Sequence, residues 1–380
     1  MKIAMLGTRG IPASYSGFET CVEELGARLV ERGHQVTVYC RSHFITHPGP
    51  TYRGMRLLKL PTIENKYLDT IVHSFVSAWH AAFSSFDIVL MFIAGNSLVS
   101  WIPRLTGRKV VLNVDGLDWK REKWPPLAKK YIQFAEFLAT RLPSEMVTDS
   151  RVIQRYYQDK YNRNSTYIAY GANAVNVPPG EYLEKFNLEP ERYLLFVGRL
   201  VPENCAHHLV EAFGKLKTDM KCVIVGHAHY AEQYIDSLRS TSNPNIIFTG
   251  YLFGEGYREL SSNSYLFVET SGVGGTHPAL LEAMACGKCT VVNNTPENLE
   301  TIADCGFSYD GKVGPESLAE VLRELLGSPE MVREKGRLAL DRIEKYYNWE
   351  MVTDEYEKLF ERLLEGSRFS NLSPEISKPI

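Results

Sequence analysis

What this sequence lacks narrows its role before anything it contains. No apolar run approaches the ~20 residues needed to cross a bilayer. The opening Met1-Lys2-Ile3-Ala4-Met5-Leu6 reads as a strand, without the charged and then apolar segments of a secretion signal. The seven cysteines (Cys21, Cys40, Cys205, Cys222, Cys286, Cys289 and Cys305) are scattered and odd in number, and no pair of CxxC motifs points to a zinc site. They read as reduced thiols in a cytoplasmic protein. A net charge of −3 gives no global polybasic signal, so nucleic acid is not an expected partner. Internal repeats and low-complexity tracts are also missing.

What remains is the material of an enzyme with two cores. At 380 residues, 44% hydrophobic and 23% charged, the chain fits two domains of ordinary size. Lys2 to Leu6 is a short apolar run, followed by a glycine-containing loop from Gly7 to Ser16. Phe18, Val22, Leu25, Leu29 and Val30 then recur at helical spacing, Gly33 closes the helix, and Gln35 to Cys40 supplies the next strand. Further strands are expected at Met55 to Lys59, Ile88 to Phe92, Val110 to Val114 and Met146 to Thr148. Helices are expected around Leu68 to Phe83, Leu127 to Arg141 and Ser150 to Tyr157.

Gly171 to Pro190, with Asn, Gly and two adjacent prolines, interrupts the rhythm and places a linker at residues 176–190. Alternation resumes with strands at Tyr193 to Val197, Cys222 to Val225, Ile246 to Thr249, Tyr265 to Val268 and Cys289 to Val292. Between them lie helices at Ala206 to Leu216, Glu232 to Leu238, Gly256 to Ser261 and Pro278 to Ala285. The pattern predicts an α/β protein of two Rossmann-like, doubly wound parallel-sheet domains facing a cleft, residues 1–175 and 191–346. Helices follow from Pro315, one of them at 347–366 crossing back to the first domain, and a polar tail occupies 367–380.

Open α/β sheets bind ligands beyond the carboxyl ends of their strands, so the unusual loops there carry the functional reading. The first, Gly7-Thr8-Arg9-Gly10 to Ser16-Gly17-Phe18-Glu19, places glycines and an arginine before a helix N-terminus, where anions are favoured. Ser16 and Glu19 also match a capping box, the plainer role for Glu19. It is not a GxGxxG loop, which weakens a dehydrogenase reading. The second, Asn113-Val114-Asp115-Gly116-Leu117-Asp118, leaves a wholly apolar strand with two carboxylates. Asp115 either lines a site or belongs to an Asp-Gly turn, and Asp118 either joins it or caps the next helix. The third, Val197-Gly198-Arg199 to Asn204, aims a permanently charged arginine at the expected cleft unless that arginine makes only a surface ion pair. The fourth, Gly272-Val273-Gly274-Gly275-Thr276-His277-Pro278, opens a proline-started helix containing Glu282. Its amides could grip a pyrophosphate while Glu282 holds a ribose. His277 by itself fits capping or packing as well as chemistry.

Taken in order, Gly17-Phe18-Glu19, Gly198-Arg199 and Pro278-x-x-Leu281-Glu282-Ala283-Met284-Ala285-Cys286-Gly287 resemble the retaining GT-B glycosyltransferases of family 4, over roughly Met1 to Leu364. The strings GTRGIP-SYSGFET, VDGLDWKREKW and VGGT-HPALLEAM look like the rhamnosyltransferase-type branch of bacterial surface-polysaccharide assembly.

The resemblance implies a nucleotide-sugar donor held mainly by the C-terminal domain, an acceptor held by the N-terminal one, and no metal or other cofactor. Arg199 matches the diphosphate-binding arginine, Glu282 the ribose-binding glutamate, Gly250-Tyr251 the loop near the base, and Gly17 the phosphate-side glycine. Asn204, Gly274, Gly275, Thr276, His277 and Leu281 fall in the same donor-side strings, and Arg9, Glu19 and Asp118 on the acceptor side. Asp115 and Asp149 are candidate bases or hydroxyl-orienting groups, with Arg199 stabilising the leaving diphosphate.

Three departures mark this chain. Asn204 stands where the family carries lysine, Gly274 where it carries the first glutamate of an E-x7-E pair, and Asp115 where many members carry histidine. These losses move the expected donor toward dTDP-rhamnose, a 6-deoxyhexose, and the acceptor is expected to be a saccharide or an undecaprenyl-diphosphate-linked saccharide. Trp119 to Pro126, with Lys129 and Lys130, interleaves cations and aromatics. It either rests on the inner face of the plasma membrane or is a solvated basic face. A transferase using another UDP- or GDP-sugar, an epimerase of the same architecture, and a non-catalytic sugar-nucleotide-binding protein are the competing readings.

Overall fold

The computed structural model describes residues 1–13, 17–65, 68–121, 124–228 and 230–366. Ser16, half of the expected capping box, and the 367–380 tail therefore lie outside the described residues.

Two sheets organise the chain. The first contains β1 (Lys2–Leu6), β2 (Gln35–Arg41), β3 (Thr51–Tyr52), β4 (Met55–Leu60), β5 (Ile88–Phe92), β6 (Lys109–Asn113), β7 (Glu145–Thr148) and β8 (Thr166–Tyr167), in the order β3-β4-β2-β1-β5-β6-β7-β8. The second contains β9 (Tyr193–Val197), β10 (Lys221–Val225), β11 (Ile246–Gly250), β12 (Leu266–Glu269), β13 (Cys289–Asn293) and β14 (Phe307–Tyr309), in the order β11-β10-β9-β12-β13-β14. Every ladder is parallel except β3 with β4. Strands buried on both faces must be apolar throughout, and β5, Ile-Val-Leu-Met-Phe, is buried at every position. Strand order reverses beside β1 in one sheet and beside β9 in the other, and these two switch points face each other.

Several elements escaped the sequence pattern because they are short. The β3–β4 hairpin turns through Arg53 and Gly54, whose φ values of 47° and 77° suit a tight hairpin turn. A 3₁₀ turn, Ala94–Val99, and the helix Trp101–Arg104 fill the β5–β6 crossover. Residues 176–190, expected to be a linker, contain the helix Glu181–Lys185. Glu259 holds it in place, accepting the Gly180 and Leu183 amides at 2.9 and 2.8 Å. A single turn of helix tethered to a carboxylate leaves too little periodicity to read.

The last helix, Trp349–Glu365, lies against the helix Gly17–Glu31 of the first sheet. Arg32, just after that helix, pairs with Glu350, Asp354 and Glu357 at 2.8, 2.6 and 2.9 Å. Such partly exposed pairs stabilise little individually. Buried Val352, Tyr356, Leu359 and Phe360 carry the packing, and Asn113 donates to the Tyr356 hydroxyl at 2.9 Å. No helix among the described residues is long and apolar enough to cross a membrane.

Candidate active site

The carboxyl ends of the two sheets enclose a cavity of about 580 Å³. Gly17, Asp115, Arg121 and Tyr170 line it from the first sheet's side, and Arg199, Asn204, Gly226, Tyr251, Tyr257 and Glu282 from the second.

On the second side, β9 and β10 end so close together that only glycine fits. A Cβ on Gly226 would fall 1.8 Å from the Gly198 carbonyl oxygen, and Gly226 has φ 141°. That approach delivers Arg199 to the cavity wall. Asn204, at the position where lysine was expected, donates its side-chain amide to the Arg199 carbonyl at 2.9 Å and so braces the arginine loop. A second cation is replaced by a support for the first.

Glu282 lies in the helix Pro278–Ala285, which starts with proline after the glycine loop. Burial pushes its carboxyl above the usual range, partly offset by the Tyr257 hydroxyl, which donates to its Oε2. Tyr257 was not expected from the sequence. It sits in the helix Gly254–Asn263, where nothing local distinguishes it from a packing aromatic. Tyr251 stacks on Phe253 with ring centroids 5.8 Å apart and planes at 19°, a flat apolar surface at the cavity's edge.

The first sheet's contribution differs from the sequence reading. Gly17 begins its helix against the second unit, and a Cβ there would meet Pro278 at 2.3 Å. Asp115 reaches the cavity with φ 55°, a left-handed conformation that aspartate tolerates. Burial raises its pKa, while Arg121 and, more weakly, His277 lower it. Gly116 presses on the glycine loop opposite, its missing Cβ 2.5 Å from Gly274 C and Gly275 N. The Gly274 and Gly275 backbone is thus packed beneath the first sheet's loop as well as facing the cavity.

Asp149 is corrected from catalyst to latch. It is fully buried and does not line the cavity. Its Oδ2 accepts the Thr276 amide at 2.7 Å, and its backbone carbonyl accepts the Thr276 hydroxyl at 2.9 Å. Thr276, expected to offer its amide to a phosphate, gives it to Asp149. Burial first, and then repulsion from Asp115, pushes the Asp149 carboxyl well above the ordinary range.

Of the other expected site residues, His277 lines the cavity, while Leu281, Arg9, Glu19 and Asp118 do not. Leu281 is completely buried in the core and does not line the cavity. Arg9 lies over the Phe44 ring, 4.0 Å from its centroid, and outside the cavity lining. Glu19 accepts the Arg9 amide at 3.1 Å, bracing the first loop. Asp118 pairs with Arg121 at 2.6 Å and accepts the Trp124 indole hydrogen at 3.0 Å, which orients Arg121, itself a cavity residue. His277 lines the cavity at the N-cap of its helix without a capping hydrogen bond from its side chain. Within the basic segment Trp119 to Pro126, Glu122 and Lys123 lie outside the described residues, and Arg121 turns inward.

Residues 181–339 match the family described as Glycosyl transferases group 1, and residues 89–173 match a Domain of unknown function (DUF1972). An uncharacterized glycosyltransferase of Methanocaldococcus jannaschii is 28% identical over 180 residues, 45% of this chain and 45% of its own length. The chain thus spans under half of that relative. Alpha-maltose-1-phosphate synthase of Mycolicibacterium smegmatis is 23% identical over 96% of this chain and 100% of its own. Among solved structures, sucrose-phosphate synthase from Thermosynechococcus elongatus superposes with a TM-score of 0.82 at 18% identity, covering 96% of this chain and 99% of that one. The fold is therefore GT-B, and the stretch similar to the group 1 glycosyl transferases, residues 181–339, spans the second sheet.

Proposed function

We propose that this chain is a retaining, metal-independent glycosyltransferase that moves a sugar, L-rhamnose from dTDP-rhamnose, onto a saccharide or lipid-linked saccharide of bacterial surface-polysaccharide synthesis. The observation that carries the transferase reading is one cavity at two facing switch points, with Arg199 and Glu282 on one wall and Asp115 on the other. In this reading residues 191–346 hold the donor and residues 1–175 the acceptor.

Transfer breaks the bond between the sugar's anomeric carbon and the diphosphate oxygen and forms one to an acceptor hydroxyl oxygen. The hydroxyl proton passes to the departing diphosphate, so no separate base is required. Charge growing on the diphosphate in the transition state is met by Arg199 and by the N-terminus of the helix Pro278–Ala285. Glu282, held by Tyr257, accepts from the donor ribose, and Tyr251 with Phe253 offers a surface near the base. Asp115 orients the acceptor hydroxyl or a sugar hydroxyl. Asn204, Gly274 and Asp115, all differing from the wider family pattern, support a donor with fewer polar contacts, hence a 6-deoxyhexose.

The test is a donor panel of dTDP-rhamnose against UDP- and GDP-sugars, with undecaprenyl-diphosphate-sugar acceptors and the product anomer determined by NMR. Rhamnose transfer with retention is expected. Exclusive use of a UDP-hexose overturns the donor, and turnover of the donor alone, without acceptor, points instead to an epimerase.

A further inference from the structure

The helix Asp69–Phe83 is built inside out. Its sheet-facing side buries His73, Ser74, Ser77, Ala78, Ala81 and Ala82, while Ile71, Phe75, Val76, Trp79 and Phe83 stand exposed, Phe83 at 77%. Burial free energy grows with apolar area, so a helix that had only to cover a sheet would turn its largest apolar side chains inward. The exposed rings form a ladder: Phe75 meets Trp79 edge-on at 6.3 Å, and Trp79 stacks on Phe83 at 5.8 Å. From Thr70 to Phe86 there is no Lys, Arg, Asp or Glu.

The surface extends beyond this helix. The Thr106 hydroxyl donates to the Ala82 carbonyl at 2.8 Å, bringing exposed Leu105 and Trp101 alongside. The Ser97 hydroxyl reaches the Ala135 carbonyl at 2.6 Å, tying in the helix Pro126–Ala139 with exposed Phe134 and Phe137. Of the 20 exposed large apolar side chains among the described residues, 13 fall between Ile63 and Phe137, so this is a concentrated surface.

Charge identifies what it fits. Among the described residues from Ile63 to Arg141, the exposed charged side chains are the cations Arg104, Lys120, Lys130 and Arg141 and the acids Glu64 and Asp87. The two acids flank the helix Asp69–Phe83, Asp87 accepting the Lys2 amide at 2.7 Å, and cations outnumber acids. We propose that this helical layer docks on an anionic lipid bilayer, its aromatic side chains entering the headgroup region and its cations facing lipid phosphates. A second copy of the chain fits less well, because a two-fold contact would set cations against cations. The Arg41 guanidinium at the carboxyl end of β2 pairs with Asp69 at 2.6 Å, so the helix starts at the cleft edge of the sheet. Docking along its length would hold the cleft mouth beside the bilayer. The inference concerns this surface and stands whether or not the transferase reading holds.

Flotation of the full chain with phosphatidylcholine vesicles, with and without phosphatidylglycerol, tests it. The wild type is expected to float with phosphatidylglycerol-containing vesicles, less so as salt rises. Phe75→Ser/Trp79→Ser/Phe83→Ser and, separately, Arg104→Glu/Lys130→Glu are each expected to lower partitioning by about tenfold or more, with unchanged melting temperatures. If the triple variant does not fold, the charge variant and the loss of a vesicle-induced blue shift in Trp79→Phe carry the test. Absence of flotation at low salt, or equal flotation of wild type and charge variant, overturns it. So does concentration-dependent dimerisation that the triple variant abolishes without any vesicle binding.

Discussion

Asp149 and Thr276, 127 positions apart, are joined twice: carboxylate to amide at 2.7 Å and carbonyl to hydroxyl at 2.9 Å. The pair closes one sheet onto the glycine loop of the other, away from solvent. Asp149→Ala strands the buried Thr276 amide and is expected to cost about 1–3 kcal/mol, whereas Asp149→Asn keeps an acceptor and costs less. Thermal melts of the two variants decide it, and equal melting temperatures would rule the latch out.

The same carboxyl makes stability depend on pH. Its folded-state pKa is raised, so the native protein binds its proton more tightly than the unfolded chain does. Stability therefore falls as pH climbs from the unfolded carboxylate value, about 4, through the raised native value. Asp149→Asn should flatten that fall and ease the repulsion felt by Asp115. Urea unfolding at stepped pH measures the slope; identical slopes for wild type and variant refute the assignment.

Arg199→Ala and Glu282→Ala should each lower kcat/KM for the donor, Arg199→Ala by about 10²–10³-fold as for loss of a transition-state charge partner. Circular dichroism should be unchanged. Wild-type turnover by both variants with every donor tested would show that the site lies elsewhere.

Tyr257→Phe removes only the hydroxyl that holds Glu282. A positioning role predicts a higher KM for the nucleotide-sugar with a smaller change in kcat. It also predicts no further loss when Tyr257→Phe is added to Glu282→Ala, which a purely structural role would not produce.

Gly226→Ala should destabilise the fold by more than about 3 kcal/mol, because the new methyl overlaps the Gly198 carbonyl and no side chain can rotate away. Gly33→Ala, also at positive φ but with nothing within 4 Å of the new Cβ, should cost only about 1–2 kcal/mol. Matching losses in chemical denaturation would show that conformation, rather than the close approach, governs Gly226.

The two sheets were legible because their central strands are almost wholly buried and most of their helices amphipathic, which writes continuous apolar runs and a helical period into the sequence. Short elements were not: β3 and β8 have two residues each, and the helix Glu181–Lys185 is held by distant Glu259 rather than by its own pattern. At the site, Arg199, Asp115 and Glu282 could be found because each is a charged group at an unusual loop or helix start. Tyr257 could not, since its role comes entirely from Glu282 lying opposite.

By itself, the sequence determined two α/β units with glycine-rich, charged loops at their strand ends, since hydrophobic period and loop composition are local properties. Only the tertiary structure decided which of those polar groups face the cavity. Asp149 and Asp115 both follow buried parallel strands, yet the packing of one sheet against the other turns Asp149 into the Thr276 contact and leaves Asp115 at the cleft. That choice depends on residues more than a hundred positions away, and so does the inverted helix Asp69–Phe83, whose composition gives no sign of which side meets the sheet.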